Sequence, residues 1–163
     1  GKYCARIENP RTESDWLSRD EKVVDDFKND PLCDFIFTVD GFKALLTLVR
    51  EDCDDRTAQK VPKELPIYIL SRAEDPVGQY GEGVMKTYEQ YRQAGIENLQ
   101  VKIYPEMRHE ILNELGKEEV YEDILRWTEE RISEYAQEND EADTENDDAS
   151  DSQMDDKADS QEE

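Results

Sequence analysis

Apolar and polar positions along this chain alternate between two periods. Leu65-Pro66-Ile67-Tyr68-Ile69-Leu70-Ser71 is a short apolar run rich in β-branched and aromatic residues, and it predicts a buried strand. The run stops at Arg72-Ala73-Glu74-Asp75-Pro76-Val77-Gly78, where Asp-Pro and the glycine mark a loop. A helical segment follows with Val84, Met85, Tyr88 and Tyr91 as its apolar residues, and Gly95 ends it as a left-handed cap does. Asn98 to Pro105 reads as a second strand, and Glu106-Met107-Arg108-His109-Glu110 as the loop beyond it. Strand, helix and strand of this length imply two parallel strands joined by a right-handed crossover. In an open parallel sheet chemistry gathers beyond the carboxyl ends of the strands. Asp75 and His109 each lie a few residues past such an end.

Upstream the pattern turns helical. Tyr3, Cys4 and Ile7 are candidate buried contacts in an otherwise uninformative start. Ser18 or Asp20 caps a helix whose apolar face holds Val23, Val24 and Phe27. An aromatic cluster, Phe35-Ile36-Phe37, precedes a second helix that Asp40 is expected to cap and that runs to about Arg50. Phe42, Leu45, Leu46, Leu48 and Val49 are its apolar residues. The ordinary reading of such spacing is a small helical subdomain that buries these groups; the sharper one is a cover over a substrate pocket. Spacing does not separate the two. Residues 51–64 are polar, Pro62 interrupts any helix, and the segment reads as a linker back to the sheet. At the other end a helix from about Lys117 to Tyr135 repeats Val120, Ile124, Trp127, Arg131 and Tyr135 at helical spacing, which suits packing on a sheet.

Charge changes the picture mainly at the tail. Net charge is -23 over 163 residues, and residues 136–163 contain 13 acidic residues against one lysine. That tail has almost no apolar residues and is expected to be disordered, as a solvating extension rather than a docking element. The body is acidic too, which argues against nucleic acid as a partner and against attachment to anionic lipid. A length of 163 residues suits one domain with a core of its own. No stretch is apolar for long enough to span a bilayer. The chain opens on Gly1 rather than methionine, so targeting information need not be contained in it. Cys4, Cys33 and Cys53 are odd in number and far apart, with no C-x-x-C pair for zinc or redox chemistry. Reduced thiols in a cytoplasmic protein are the simplest reading. No cofactor is called for: Gly81-x-Gly83 lacks the third glycine of a dinucleotide fingerprint and does not follow the strand directly.

A lone histidine is ordinarily a surface or satisfied core residue. His109 stands apart because it follows a strand, is flanked by Arg108 and Glu110, and has Asp75 in the neighbouring sheet loop. A hydrolytic histidine takes a proton from a hydroxyl and returns it to the leaving group, while a carboxylate fixes its tautomer and stabilises its charged form. Asp75 and His109 suit the roles of acid and base.

Four stretches carry a family resemblance: Asp15-Trp16-Leu17-Ser18-Arg19-Asp20, Asp30-Pro31-Leu32-Cys33, Asp75-Pro76-Val77-Gly78, and Arg108-His109-Glu110-Ile111-Leu112-Asn113-Glu114. In this order, over about Thr12 to Arg131, they resemble the serine hydrolases of the lysophospholipase and monoacylglycerol-lipase type, also filed as S33-like serine aminopeptidases. The resemblance implies an α/β fold, the carboxyl-terminal part of an α/β-hydrolase preceded by a helical cap segment. It divides the chain into a partial cap at 1–50, a linker at 51–64, a β-α-β-α part of the core at 65–135 and the acidic tail at 136–163. It also implies Asp75 as triad acid and His109 as triad base, with Glu110 and Asn113 as motif neighbours of unassigned role.

The departures matter as much. The family's nucleophile sits in a G-x-S-x-G elbow upstream of the cap, and none of the seven serines here is flanked by the required glycines. The upstream loop that donates an oxyanion-hole N–H is also not in this sequence. Asp34 stands where relatives commonly have glycine, and Ser71 where glycine is usual after the strand. Two functional classes stay open. The first is a carboxylic-ester hydrolase acting on a lipid-like or small ester when complete, with this chain alone inactive and its partner the N-terminal half of the fold. The second is a non-catalytic remnant that serves as an acidic interaction module. Without its other half the chain is expected to expose strand edges and an apolar sheet face.

Overall fold

The computed structural model describes the backbone of residues 2–155 and the side chains of residues 2–137. The chain divides into two compact units, Gly1–Val120 and Tyr121–Glu163. The first carries both strands. Strand β1, Ile67–Arg72, pairs in parallel with strand β2, Leu99–Tyr104, with Ile67 opposite Leu99 and Arg72 opposite Tyr104. These are the two strands the apolar runs predict. Among the described residues they form a two-stranded sheet.

The order of helices explains how the strands are fed. Helix α1, Glu21–Asn29, starts at Asp20, whose carboxylate accepts from the Lys22 N–H, and it buries Val24. Helix α2 spans Val39–Asp52, and its cap is Thr38 rather than Asp40: the Thr38 hydroxyl accepts from the Gly41 N–H. Both residues are competent caps, but Thr38 keeps an extended backbone while Asp40 lies inside the first helical turn. A third short helix, α3 at Asp55–Ala58, forms inside the expected linker 51–64, because Asp54 caps it by accepting from Arg56 N–H. The crossover helix α4, Glu82–Gln93, lies beside both strands. Gly81 is its N-cap at φ 93° and Gly95 follows its end at φ 88°, so the expected left-handed glycine is present.

The core of the first unit sits at the carboxyl end of β2. Tyr104, Met107, Ile111 and Val120 are buried together, with Leu70 of β1 packed against them. Most strand residues are only partly covered, as are Val84, Tyr88 and Tyr91 of α4. The expectation that the apolar residues around α2 pack into a subdomain is overturned. Helix α2 has no buried residue, and Leu32, Phe35, Ile36, Phe42, Leu46 and Val49 are among the exposed large apolar side chains. Helical spacing gives α2 an apolar face, but the face meets no second layer within the described residues. What does form locally is a chain of ring contacts, with Phe37 edge-on to both Phe35 and Phe42 at 5.3 and 5.6 Å between centroids.

Helix α5 spans Lys117–Asp155 and crosses into the second unit. It runs on beyond Tyr135, where the apolar repeat ends, and no glycine or proline interrupts it. The expected disordered tail at 136–163 thus falls partly on this helix and partly, from residue 156, outside the described residues. No helix among the described residues is long and apolar enough to cross a membrane.

Candidate active site

Asp75 reaches its place because β1 ends in a tight polar turn. The Ala73 N–H donates to the Tyr104 carbonyl at 2.9 Å and the Glu74 N–H to the Met107 carbonyl at 3.2 Å, which stitches the two loops together past the last strand pair. Asp75 is then held by its own loop: Oδ1 accepts from the Val77 N–H at 3.0 Å and Oδ2 from the Gly78 N–H at 3.1 Å. Close approach fixes Gly78 as well, since a Cβ there would lie 3.2 Å from Asp75 Oδ2. The carboxylate is 3% exposed.

His109 is placed by a different segment. Its N–H donates to the Trp16 carbonyl at 3.2 Å, and the Glu110 N–H donates to the Leu17 carbonyl at 2.8 Å. The Trp16 ring lies against the imidazole, 4.8 Å between centroids, and Tyr3 lies against Trp16 at the same distance. Asp15, next to Trp16, is fixed by Thr12 Oγ1 at 2.5 Å and the Arg11 N–H at 2.6 Å. Burial alone raises the Asp15 carboxyl, but these bonds, that of the Thr12 N–H and the Arg11 charge outweigh it, and the group sits below its ordinary value.

A buried carboxylate ties the two loops together. Glu114 accepts from the Arg19 N–H at 2.9 Å, the Arg108 N–H at 3.0 Å, the Leu115 N–H at 2.8 Å and the Ser18 hydroxyl at 3.3 Å. Its side chain is 0% exposed, with the Arg19 guanidinium 3.3 Å away. Arg108 reinforces the same junction, donating to the Asp15 carbonyl at 2.7 Å and the Ser18 carbonyl at 3.1 Å. A carboxylate stripped of water is tolerated where several N–H donors replace its hydration, and that condition is met here.

The result is contact between the two residues singled out by sequence: His109 Nδ1 lies 3.0 Å from Asp75 Oδ1. The imidazole remains 30% exposed while Asp75 is enclosed. One ring nitrogen thus faces a buried carboxylate and the other is left for a reacting group, the arrangement of an acid–base pair. Sequence reasoning missed Arg72. The last residue of β1, it places Nη2 3.1 Å from Asp75 Oδ2 and 2.7 Å from His109 Nδ1. Its position one residue beyond an apolar run was visible, but the direction of its side chain was not. Burial pushes the Arg72 guanidinium down from its ordinary value, against the opposing pull of Asp75 and Glu110. Glu110 and Asn113 bond to each other, Nδ2 to Oε2 at 2.9 Å. No cluster of metal-ligating side chains occurs among the described residues.

The sequence profile of the family described as serine aminopeptidase, S33, matches residues 1–116. The chain belongs to this family. Among solved structures it is similar to a highly thermostable carboxyl esterase from Bacillus coagulans in complex with glycerol, with 36% identity and a TM-score of 0.71. That match covers 77% of this chain and 41% of the esterase. A lipase in an open form is similar at 26% identity and TM-score 0.67, over 76% of this chain and 40% of the lipase. No curated protein matches. The chain therefore holds part of an α/β-hydrolase fold, and it spans less than half the length of either solved relative. Asp34 adopts φ 53°, a left-handed conformation that glycine takes without strain.

Proposed function

We propose that this S33-family chain contributes the acid and base of a serine hydrolase acting on carboxylic esters, of the lysophospholipase or monoacylglycerol-lipase kind. The observation that carries this reading is the Asp75–His109 contact at the carboxyl ends of β1 and β2. In it, Asp75 holds Nδ1 of the ring and stabilises the imidazolium, while Nε2 takes the serine proton and returns it to the leaving alkoxide. The serine and the oxyanion N–H groups come from a G-x-S-x-G segment and an upstream loop that these 163 residues do not contain. The odd number and wide spacing of Cys4, Cys33 and Cys53 support a cytoplasmic location for the complete protein. The exposed apolar surface of α2 supports a second reading, an interaction module that binds a partner without chemistry.

The test is steady-state hydrolysis of a monoacyl ester by a protein in which a G-x-S-x-G half of the fold precedes this chain. His109→Ala is expected to nearly abolish acyl-enzyme formation. Asp75→Asn is expected to lose about 10⁴-fold in kcat through the wrong imidazole tautomer. Glu74→Gln, one residue away, is expected to cost far less. Full activity in His109→Ala defeats the reading. The 163-residue chain by itself is expected neither to turn over an aryl ester nor to be labelled on serine by a fluorophosphonate.

A further inference from the structure

Two groups compete for one nitrogen. His109 Nδ1 carries either a proton or a lone pair, yet it lies 3.0 Å from an acceptor, Asp75 Oδ1, and 2.7 Å from a donor, Arg72 Nη2. With a proton on Nδ1 the ring donates to Asp75, and the guanidinium N–H is pressed against another N–H. With a lone pair on Nδ1 the ring accepts a charge-assisted bond from Arg72, the shorter of the two contacts, while that lone pair stands against Asp75 Oδ1 at 3.0 Å. Asp75 does not depend on the ring for its complement of donors. The Val77 and Gly78 N–H groups already donate to its two oxygens, at 3.0 and 3.1 Å, and Arg72 Nη2 pairs with Oδ2 as an ion pair at 3.1 Å. Arg72 is the more demanding group: its side chain is 16% exposed and its Nε is buried with no hydrogen-bond partner. A guanidinium stays charged when buried, so the bonds made by Nη2 have to offset the water it has lost.

We propose that Arg72 takes the Nδ1 lone pair and holds neutral His109 in the Nε2–H tautomer. That tautomer is the opposite of the one Asp75 selects in a working triad. A protonated Nε2 donates and cannot receive a proton from a serine hydroxyl. Arg72 is thus a positioning residue that restrains the general base, and the base is released when the guanidinium leaves Nδ1. The catalytic meaning of this restraint rests on the triad reading above; the tautomer itself does not.

His109 is the only histidine in the chain, so its ring nitrogens are assigned without ambiguity by ¹⁵N NMR of the full 163-residue protein. The spectrum is recorded at a pH where the ring carbons show a neutral imidazole. The native chain is expected to show a protonated Nε2 and a bare Nδ1. In Arg72→Ala the two nitrogen shifts are expected to exchange, with Nδ1 now protonated and bonded to Asp75. Arg72→Met, which keeps the apolar stem of the side chain and so the packing, is expected to give the same exchange should the alanine variant not fold. A protonated Nδ1 in the native chain overturns the proposal, as does a ring unchanged by removal of the guanidinium. Failure of the triad reading shows elsewhere, as full activity in His109→Ala of the completed enzyme, and leaves these nitrogen shifts where they are.

Discussion

The loops at the carboxyl ends of β1 and β2 and the segment from Leu32 to Val49 belong to the same compact unit, and they are finished to different degrees. In the loops and the segment packed against them, three carboxylates are enclosed and matched. Asp75, Glu114 and Asp15 are each less than 9% exposed, and each accepts at least two bonds from neighbouring loops or its own turn. Along Leu32–Val49, ten large apolar residues are exposed, from Leu32 at 80% and Ile36 at 90% to Phe37 at 43%. The difference follows from the reach of the forces. A carboxylate is satisfied by a few N–H groups at about 2.9 Å, and two short segments supply them. Apolar surface is covered only by a second layer of comparable area. The part of the hydrolase fold present here holds enough chain for the first kind of closure and too little for the second.

The sharpest way to break the comparison is to open the closed region. Glu114→Ala removes a fully buried carboxylate and orphans the N–H groups of Arg19, Arg108 and Leu115 together. Removing one partner of such a buried set costs about 3–5 kcal/mol. Chemical denaturation of the chain is expected to show that loss. Glu114→Gln keeps one acceptor oxygen and is expected to cost less. A change below about 0.5 kcal/mol in the alanine variant, the range of an ordinary surface substitution, means the junction is not what holds the loops together.

Gly81 offers a smaller effect at the point where the Asp75 loop turns into α4. Its φ is 93°, and the two residues before it, Gln79 and Tyr80, also have positive φ, so three consecutive residues depart from the usual backbone. A Cβ at Gly81 meets Ile103 Cδ1 at 3.4 Å, ordinary contact rather than a clash. Gly81→Ala is therefore expected to cost about 1–2 kcal/mol for the left-handed conformation alone. Thermal unfolding measures it. A neutral result shows that the turn is free to rearrange.

How much of this was legible beforehand depends on the range of the signal. Both strands and the Gly95 stop are written within a few residues of themselves, and sequence located them; it left Ser18 or Asp20 as the cap of α1, and the structure uses Asp20. The approach of Asp75 to His109 was legible because parallel pairing brings successive strand ends together. The cap of α2 was misread because Asp ranks above Thr as a cap by type, and only the backbone shows that Thr38 holds the cap position. The exposure of α2 was misread because periodicity says that a helix has an apolar face and not what the face meets. Arg72 and Glu114 escaped for the same reason at closer range. The Arg72 contact depends on the direction of a long side chain, and the Glu114 bonds join residues separated by 95 positions in sequence.

A matched pair of cap substitutions sharpens the comparison further. Asp20 caps α1, which buries Val24, while Thr38 caps α2, which buries nothing. Each replacement by alanine removes one cap bond, about 1 kcal/mol of local helix stability. Asp20→Ala is expected to lower global stability by that amount, because α1 unfolds with the core. Thr38→Ala is expected to leave global unfolding unchanged and to speed hydrogen exchange only within α2. Equal effects on global unfolding mean that α2 is tied into the unit more firmly than its exposure implies.

The smallest expected effect on stability is the most informative about the open region. Leu46 is 65% exposed and lines a shallow depression on α2 with Val39, Phe42 and Arg50. Leu46→Gln keeps helix propensity close to its original value and removes apolar surface that the chain leaves in water. Global stability is therefore expected to change by less than about 0.5 kcal/mol, as for a substitution away from any buried feature. Any self-association through this exposed apolar surface is expected to fall. Static light scattering over a concentration series, alongside denaturation, reads both quantities on the same sample. A substantial loss of stability shows that Leu46 is covered in the native chain. Unchanged association locates the surface elsewhere, with the outer edges of the two-stranded sheet the next candidates.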